Sequence, residues 1–409
     1  MPDLAPPPAA DAAVDSRRAW LVAAAAFVVG FVVFGTLYSF GAVFEPMSAE
    51  LGGSRAATSA FFSIAGLIFY MTGALTGRLS DRFGPRVVVG AGAIVMGAGL
   101  AGTACIERIE AGYLTYGIGV GVGASCAYVP SLALVGGWFD RWRATALGIA
   151  AAGTGCGVLV MPPLTAALIE GHGWRVAVAV SGAGFGSLLA LCAVVVRPPR
   201  RAPGVAVRPL TRVLRSSQFL RLYASWVLAT TALFVPFVFL PAFARDHGAS
   251  SVAASSLLSV LGGASLVGRL GIGVLVARIG TLASFKIAVS IMAGSYVMWL
   301  ASASYGLLAA FSAVLGLGYG TRIALMPGVL IELFGLHNPG VILGVFFTAG
   351  GISAVLGPMI AGVIVDHTGS YRWAIAFALA MGAGGLAAVA SLQPDRGSVL
   401  DGNGGIRDA

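Results

Sequence analysis

Two arginine residues, Arg269 and Arg322, lie deep inside apolar stretches of this sequence. Arginine stays protonated at any physiological pH, so each residue brings a permanent positive charge into apolar surroundings. All sixteen Asp and Glu residues and all four His residues fall at the ends of such stretches or beyond them. Two cations without a neighbouring carboxylate favour a bound anion, and the planar guanidinium group pairs bidentately with a carboxylate. The two arginines therefore predict a site for an organic anion.

The elements that position these arginines are apolar runs long enough to cross a membrane. Of the 409 residues, 58% are hydrophobic and 10% are charged, whereas a water-soluble domain has about 25% charged residues. A membrane-spanning helix takes about 20 apolar residues, and lipid cannot satisfy the open backbone of unpaired strands. We predict an all-α integral membrane protein with twelve transmembrane helices, at 20–44, 57–79, 86–105, 111–135, 145–169, 174–196, 220–244, 252–276, 283–302, 306–332, 340–365 and 371–393.

Membrane placement sharpens the interpretation of the two arginines. An arginine at the middle of a bilayer costs at least about 2.5–3.5 kcal/mol, and such residues usually face a water-filled cavity and serve function. Arg322 falls near the centre of the tenth predicted helix, and Arg269 lies inward of the centre of the eighth. We therefore expect both side chains to face a common cavity.

Basic residues concentrate on one side of the predicted membrane protein. With the N-terminus inside, eighteen Lys and Arg residues fall on the inner side and five on the outer side. This bias follows the positive-inside rule and predicts that both termini are cytoplasmic. We assign the central basic cluster to topology and to attraction of membrane lipid, not to nucleic acid. Lys286 is the only lysine among 25 basic residues, which favours a GC-rich bacterial genome and hence the inner (plasma) membrane of a bacterium.

The sequence contains an internal duplication with an offset of 196 residues. "GRLSDRFG" (77–84) aligns with "GVLVARIG" (273–280), and "PPLTAALIEGHG" (162–173) aligns with "PMIAGVIVDHTG" (358–369). Six-helix repeats of this kind place a substrate site at their interface, near the membrane midplane. We predict a cytoplasmic tail at 1–18, a six-helix bundle at 19–196, a Pro- and Arg-rich cytoplasmic linker at 197–217, a second bundle at 218–393 and a cytoplasmic tail at 394–409.

The loop between the second and third predicted helices carries a resemblance to a known family. "GRLSDRFGPR", from Gly77 to Arg86, resembles the G-x-L-x-D-R-x-G-x-R signature of the major facilitator superfamily. The resemblance implies the major facilitator fold of two pseudo-symmetric bundles. It also implies a gating role for Gly77, Asp81, Arg82 and Arg86, because this loop contacts the other half and must separate for inward opening. The alternative is a charged turn that only obeys the positive-inside rule.

A second resemblance narrows the family. "WFDRWRATALGIAAAG" (138–153), "LYSFGAVFEPMSAELG" (37–52) and "GYGTRIALMPGVLIELFG" (318–335) resemble motifs of the monocarboxylate transporters and their bacterial relatives, the oxalate/formate antiporters. The resemblance implies that Arg269 anchors the substrate carboxylate. The alternative for Arg269 is bonding to backbone carbonyls or extension of the side chain towards the inner membrane surface.

Arg322 leaves three interpretations open. We prefer a second substrate contact. The second interpretation is a bond to the backbone: Pro327 cannot donate to the carbonyl of Ile323, so a free acceptor lies within reach of Arg322. A gating role is the third interpretation.

The sequence departs from the animal-type monocarboxylate pattern by Ser265 in place of an aspartate and by the lack of a lysine in the first helix. These departures argue against a proton carried by a side chain, so anion exchange, facilitated diffusion and co-transport with a proton on the substrate all remain open.

Several further residues are candidates for the cavity wall. Tyr38, Tyr128 and Tyr319 offer hydroxyl groups on apolar bodies, although helix packing and interfacial anchoring are the commoner uses of membrane tyrosines. Ser125 is the first-half counterpart of Arg322 within one residue. Phe346, Phe234 and Phe237 are candidates for an apolar wall, with core packing as the alternative.

The leading function is a transporter that moves small organic anions by alternating access, either as a secondary active or as a facilitative carrier. The alternative is efflux of lipophilic or drug-like compounds. A membrane enzyme ranks lower because no acid, histidine or nucleophile pair lies at depth, and a receptor without transport ranks lower because the sequence contains no stretch expected to form a soluble effector domain.

The four cysteines (Cys105, Cys126, Cys156 and Cys192) form no CxxC pair. We therefore expect no cofactor and no metal. We also expect a monomer, with a proton or a counter-anion as a partner in addition to the substrate.

Overall fold

The structure is a computed structural model that describes residues 15–139, 141–197, 215–301, 303–334 and 339–392. Most of the predicted linker at 197–217, most of the N-terminal tail at 1–18 and all of the C-terminal tail at 394–409 lie outside the described residues.

The described chain is built from helices. The first half contains α1 Arg17–Tyr38, α2 Phe40–Leu51, α3 Arg55–Met71, α4 Gly73–Phe83, α5 Pro85–Ala104, α6 Ile109–Gly112, a π-helical segment Tyr113–Val120, α7 Gly121–Trp138 and α8 Arg143–Val195. The second half contains α9 Ser217–Asp246, α10 Ser251–Ile279, α11 Thr281–Ala301, α12 Tyr305–Phe334, α13 Pro339–Thr368 and α14 Tyr371–Ala390.

These helices match the predicted membrane spans. In the described part of the chain, ten helical segments are long and apolar enough to cross a membrane, and the pair α3 and α4, bent by 54°, makes eleven. The long helix α8 holds the fifth and sixth predicted spans, which meet at a kink where Gly173 has a φ of 80°. Dividing α8 at this kink gives the twelve spans that the apolar runs predicted.

The backbone shows the internal duplication directly. The described glycines with positive φ fall into three pairs separated by 196 residues: Gly52 and Gly248, Gly84 and Gly280, and Gly173 and Gly369. Glycine lacks a Cβ and adopts positive φ without steric cost, so it commonly ends helices. The offset found in the sequence therefore places the sharp turns of the two halves at equivalent points.

Small residues let the central helices approach closely. Gly320 on α12 packs on α10, where a Cβ would overlap the carbonyl oxygen of Ser265. In the first half, a Cβ at Gly153 on α8 would overlap the carbonyl oxygen of Phe27 on α1. Close contact of this kind is typical of membrane helices, because small side chains allow backbones to approach.

The two halves are joined at one end, which we call the Asp246 end. Arg245 of α9 forms an ion pair with Glu45 of α2, and Arg55 of α3 lies 3.7 Å from the carboxylate of Asp246. The carboxylate of Asp366 on α13 accepts the backbone N–H groups of Arg55 at 3.0 Å and of Ala56 at 2.8 Å. This carboxylate thus caps the N-terminus of α3 from the other half, where the helix dipole favours negative charge.

Candidate functional site

Arg269 lies at the interface of the two halves, on α10, and is half-buried. Its Nη1 donates to the carbonyl oxygen of Ala151 at 2.8 Å and to Oγ1 of Thr154 at 2.9 Å. Both acceptors belong to α8 of the first half, and the buried Nε of Arg269 has no hydrogen-bond partner. The arginine therefore joins the halves through neutral oxygen atoms and keeps an unused donor.

A narrow cleft, too tight to hold a water molecule, adjoins the Arg269 side chain; we call it the Arg269 cavity. It is lined by residues of α1, α8, α10 and α12, namely Phe34, Tyr38, Thr154, Gly155, Val158, Gly262, Ser265, Arg269 and Tyr319. The buried hydroxyl of Ser265 has no hydrogen-bond partner. The cavity thus combines one cation, unused polar donors and an aromatic wall, which is the composition expected for an anion with a small apolar body.

Tyrosine side chains from both halves gather beside this cavity. The hydroxyl groups of Tyr38, Tyr70 and Tyr319 lie close to one another, and Tyr128 lies near both Arg269 and Tyr319. The structure therefore brings together all three tyrosines that the sequence singled out. The sequence analysis did not identify Tyr70. The offset of 196 residues aligns it with Leu266, three residues before Arg269, and this alignment could have indicated that Tyr70 lies near the site.

Arg322 is enclosed within the second half and is 1% exposed. Its Nη2 donates to Oγ1 of Thr230 at 2.6 Å, and its guanidinium carbon lies 4.1 Å from the ring centroid of Trp226. A cation over an indole face is stabilised by the ring quadrupole, most strongly when both are desolvated. Its Nε and Nη1 are buried without hydrogen-bond partners, so this arginine also keeps donors for a further acceptor.

Neither contact of Arg322 was foreseen. Thr230 and Trp226 are one helical turn apart on α9, so both face the same side of that helix. The sequence contains one feature that could have indicated these partners, which is the i, i+4 spacing of a tryptophan and a threonine in the first helix of the second half.

The remaining predicted lining residues lie further from the cavity. Ser125 is buried, and its hydroxyl lies 3.3 Å from that of Thr76 in the first half. Phe346 packs edge-to-face on Trp226 with 5.8 Å between ring centroids, one ring away from Arg322. Phe237 stacks on Tyr38 with 4.0 Å between centroids, and Phe234 lies 6.3 Å from Tyr38. Phe234 and Phe237 therefore support the tyrosine cluster.

The predicted gating residues lie at the end of the molecule opposite the Asp246 end. Asp81, Arg82 and Arg86 are exposed, and Gly77 is half-buried on α4. Within the described residues, these charged side chains form no ion pair with the second half. Their role in gating stays a prediction.

The folded architecture is that of a multi-pass membrane transporter. A solved structure of a mutant of the nucleoside transporter NupG aligns with 90% of this chain and 99% of its own length, with a TM-score of 0.75 at 15% identity. A bacterial homologue of the human lysosomal transporter Spinster, in an inward-facing and unoccupied conformation, aligns with 91% of this chain and 97% of its own length, with a TM-score of 0.73 at 15% identity. At this identity the likeness concerns the fold alone.

Sequence comparison identifies the family. The profile of the Major Facilitator Superfamily matches residues 26–304, and the chain belongs to this superfamily of transporters. It is 30% identical to monocarboxylate transporter 3 of Rattus norvegicus, over 88% of this chain and 76% of that protein. It is 31% identical to monocarboxylate transporter 13 of Bos taurus, over 87% of this chain and 85% of that protein. The predictions of a transporter, not an enzyme, and of its superfamily are confirmed.

Proposed function

We propose that this protein transports small organic anions, mono- or dicarboxylates of the size of lactate, pyruvate, oxalate or formate, by alternating access. The observation that carries the proposal is Arg269, a cation between the halves that is bonded to neutral oxygens and not to a carboxylate. The names of the relatives, monocarboxylate transporters, support the same substrate class.

In this proposal the substrate competes with α8 for Arg269. A carboxylate forms a charge-assisted bidentate pair with guanidinium, and such bonds are about twice as strong as neutral ones. Substrate binding would therefore replace the bonds of Arg269 to Ala151 and Thr154. Because those bonds join α10 to α8 across the halves, their exchange for a substrate links occupancy of the site to the relative position of the halves.

Arg322 supplies a second positive charge in the same proposal. Its unpaired Nε and Nη1 offer donors to the distal end of a dicarboxylate or to a hydroxyl or keto oxygen. Tyr38, Tyr128 and Tyr319 add hydroxyl groups, while Phe237 supports the ring of Tyr38 against the apolar body of the substrate. In the same proposal, the loop that carries Asp81, Arg82 and Arg86 separates from the second half when the cavity opens to the cytoplasm, and both termini lie on the cytoplasmic side.

Reconstitution in liposomes tests the proposal. Uptake of labelled lactate, pyruvate, oxalate and formate would be measured with and without a pH gradient and an internal counter-anion. We expect uptake of at least one acid by the wild type and its loss in Arg269→Gln. A requirement for counter-anion identifies an exchanger, whereas stimulation by a pH gradient alone indicates that the proton travels with the acid.

A matched control is available on the same helix. Arg278 is exposed near the end of α10, so Arg278→Gln removes one cation without touching the cavity and should leave uptake unchanged. Absence of uptake of all four acids by the wild type would contradict the proposal and favour efflux of lipophilic compounds.

A further inference from the structure

A larger cavity, of about 610 Å³, lies apart from the central arginines at the Asp246 end. Its wall comes from the ends of α9, α11, α13 and α14, and Arg55 of α3 completes it from the first half. Its volume falls within the range of about 300–1,000 Å³ that is typical of small-molecule sites. None of the residues proposed for the central site lines it, so it is a separate space.

The floor of this cavity is aromatic. Phe243 packs edge-to-face on Trp299 with 5.8 Å between ring centroids and on Tyr371 with 5.6 Å. Leu300, Val365 and Ile375 extend the apolar surface. A ligand that fills this part of the cavity therefore needs an apolar body.

One buried polar group in this floor lacks a partner. Trp299 is 1% exposed, and its indole Nε1 forms no hydrogen bond in the described structure. Buried donors in native proteins are nearly always paired, so an unpartnered donor in the wall of a cavity is available to a ligand. Because an indole N–H only donates, a ligand group that bonds to it must be an acceptor.

The charges at the rim favour an anionic acceptor. The positive charge of Arg55 is offset by Asp246 at 3.7 Å, and Arg55 also donates to the hydroxyl of Tyr371. Arg372 is exposed, and its guanidinium group forms no ion pair within the described residues. It lies in the first turn of α14, whose cap residue Ser370 also lines the cavity, and a helix N-terminus attracts negative charge.

His247 completes the polar rim. Its Nδ1 lies 2.7 Å from the carbonyl oxygen of Phe243. Because a carbonyl only accepts, Nδ1 carries the hydrogen and Nε2 is the nitrogen left for another contact. The side chain is exposed beside the cavity, so Nε2 is accessible to a ligand.

We propose that this cavity is a second ligand site, which binds an amphipathic anion with its charged group on Arg372 and the Trp299 N–H and its apolar body on Phe243 and Ile375. The anionic group belongs either to a free organic acid or to the headgroup of a membrane lipid. The proposal does not depend on transport through the central site, because the site is defined by equilibrium binding.

Calorimetry with hexanoate tests the proposal on the full chain in nanodiscs of neutral phosphatidylcholine. The Arg269→Gln background weakens the proposed central site, and the dependence of the remaining binding on Arg372 identifies the part that occurs at the Asp246 end. We expect hexanoate to bind in this background, and the loss of the charge-assisted bond in Arg372→Gln to weaken binding about tenfold. Trp299→Phe keeps an aromatic ring, removes the donor, and should weaken binding about fivefold.

Three controls define the chemistry. Arg108→Gln removes an exposed arginine of the loop between α5 and α6 and should leave the affinity unchanged. Acetate, which lacks the apolar body, and hexanol, which lacks the charge, should each bind more than about tenfold more weakly than hexanoate. The proposal is overturned if Arg269→Gln binds no hexanoate, or if its affinity is the same with Arg372→Gln and Trp299→Phe.

Anionic lipid distinguishes the two sources of the ligand. If phosphatidylglycerol in the nanodisc weakens hexanoate binding, and Arg372→Gln abolishes this competition, a lipid headgroup occupies the site. If phosphatidylglycerol has no effect while hexanoate still binds, the ligand is a free organic acid. Both results support the site, whereas the absence of hexanoate binding, or an affinity that neither Arg372→Gln nor Trp299→Phe changes, contradicts it.

Discussion

The two buried arginines of this transporter differ in what holds them. Arg269 donates across the interface to α8 of the first half, whereas Arg322 contacts Thr230 and Trp226 of α9 in its own half. Any relative movement of the halves must change the contacts of Arg269, while Arg322 moves together with the second half. In the proposed mechanism, Arg269 therefore responds to the relative position of the halves, whereas Arg322 supplies a constant positive charge.

The duplication makes the contrast sharper. The offset of 196 residues pairs Arg269 with Gly73 and Arg322 with Cys126, so the first half carries neither charge. The same offset pairs the positive-φ glycines of both halves. The shared turns preserve the scaffold, and the differences at 269 and 322 make the site asymmetric.

The largest expected effect comes from Arg269→Gln. Loss of a charge-assisted hydrogen bond to substrate removes about 1.5–3 kcal/mol, so uptake at low substrate concentration should fall about 10- to 100-fold. Thermal unfolding should change little, because the side chain is half-buried and the substitution leaves no unpaired charge behind. Uptake equal to that of Arg278→Gln would falsify the anchoring role.

Arg322→Gln should have a smaller and different effect. Since Arg322 contributes one of two positive charges, we expect the KM of the substrate to rise about tenfold with less change in kcat. Arg322→Lys should not restore uptake, because an ammonium group cannot stack its plane on Trp226 as guanidinium does. Full restoration by lysine would show that charge alone matters and would remove the geometric difference between the two arginines.

Trp226→Leu tests whether the indole acts through Arg322. Removal of a desolvated cation–π contact, worth roughly 1–2 kcal/mol, should raise the KM about fivefold. In the Arg322→Gln background the same change should have almost no further effect, because the two residues act as a unit. Additive effects in the double variant would contradict a role through Arg322 and indicate packing alone, with Phe346 as the neighbour affected.

Thr154→Val should have the smallest effect and the opposite sign. It removes one of the neutral acceptors that compete with the substrate for Arg269, and the net contribution of a typical hydrogen bond is about 0.5–1.5 kcal/mol. We therefore expect substrate to bind about two- to fivefold more tightly, measured as a lower KM in liposomes. Thr165→Val, a buried threonine of α8 that does not line the Arg269 cavity, is the matched control. Weaker binding in Thr154→Val would place the threonine among the substrate contacts.

The helices were predictable from the sequence because a chain segment in lipid has to satisfy its backbone hydrogen bonds without water. Apolar runs of about 20 residues have to form helices, and each predicted span coincides with an observed helical segment to within a few residues at its ends. The fusion of the fifth and sixth spans into α8 and the bend between α3 and α4 were not predicted. Both depend on how the backbone turns at one or two residues, which hydropathy does not report.

The candidate site was predictable only in part. A charged side chain in an apolar run is conspicuous, so Arg269 and Arg322 were found, and Tyr38 and Tyr319 proved to lie beside Arg269. Tyr70, Trp226 and Thr230 were missed because aromatic and hydroxyl residues are common in such helices and only their neighbours distinguish them. Ser125 was placed by its register in the duplication, yet its hydroxyl faces Thr76.

The sequence by itself determined the class of protein, the number of spans, the duplication and the presence of two unpaired cations, because each of these follows from composition, periodicity or a repeated pattern along the chain. Only the tertiary structure decided that Arg269 reaches Ala151, 118 residues away, while Arg322 turns to Thr230, 92 residues away. The physical reason is that the hydrogen-bond partners of these two arginines come from neighbouring helices. Which helices are neighbours is set by packing between side chains that are distant in the chain.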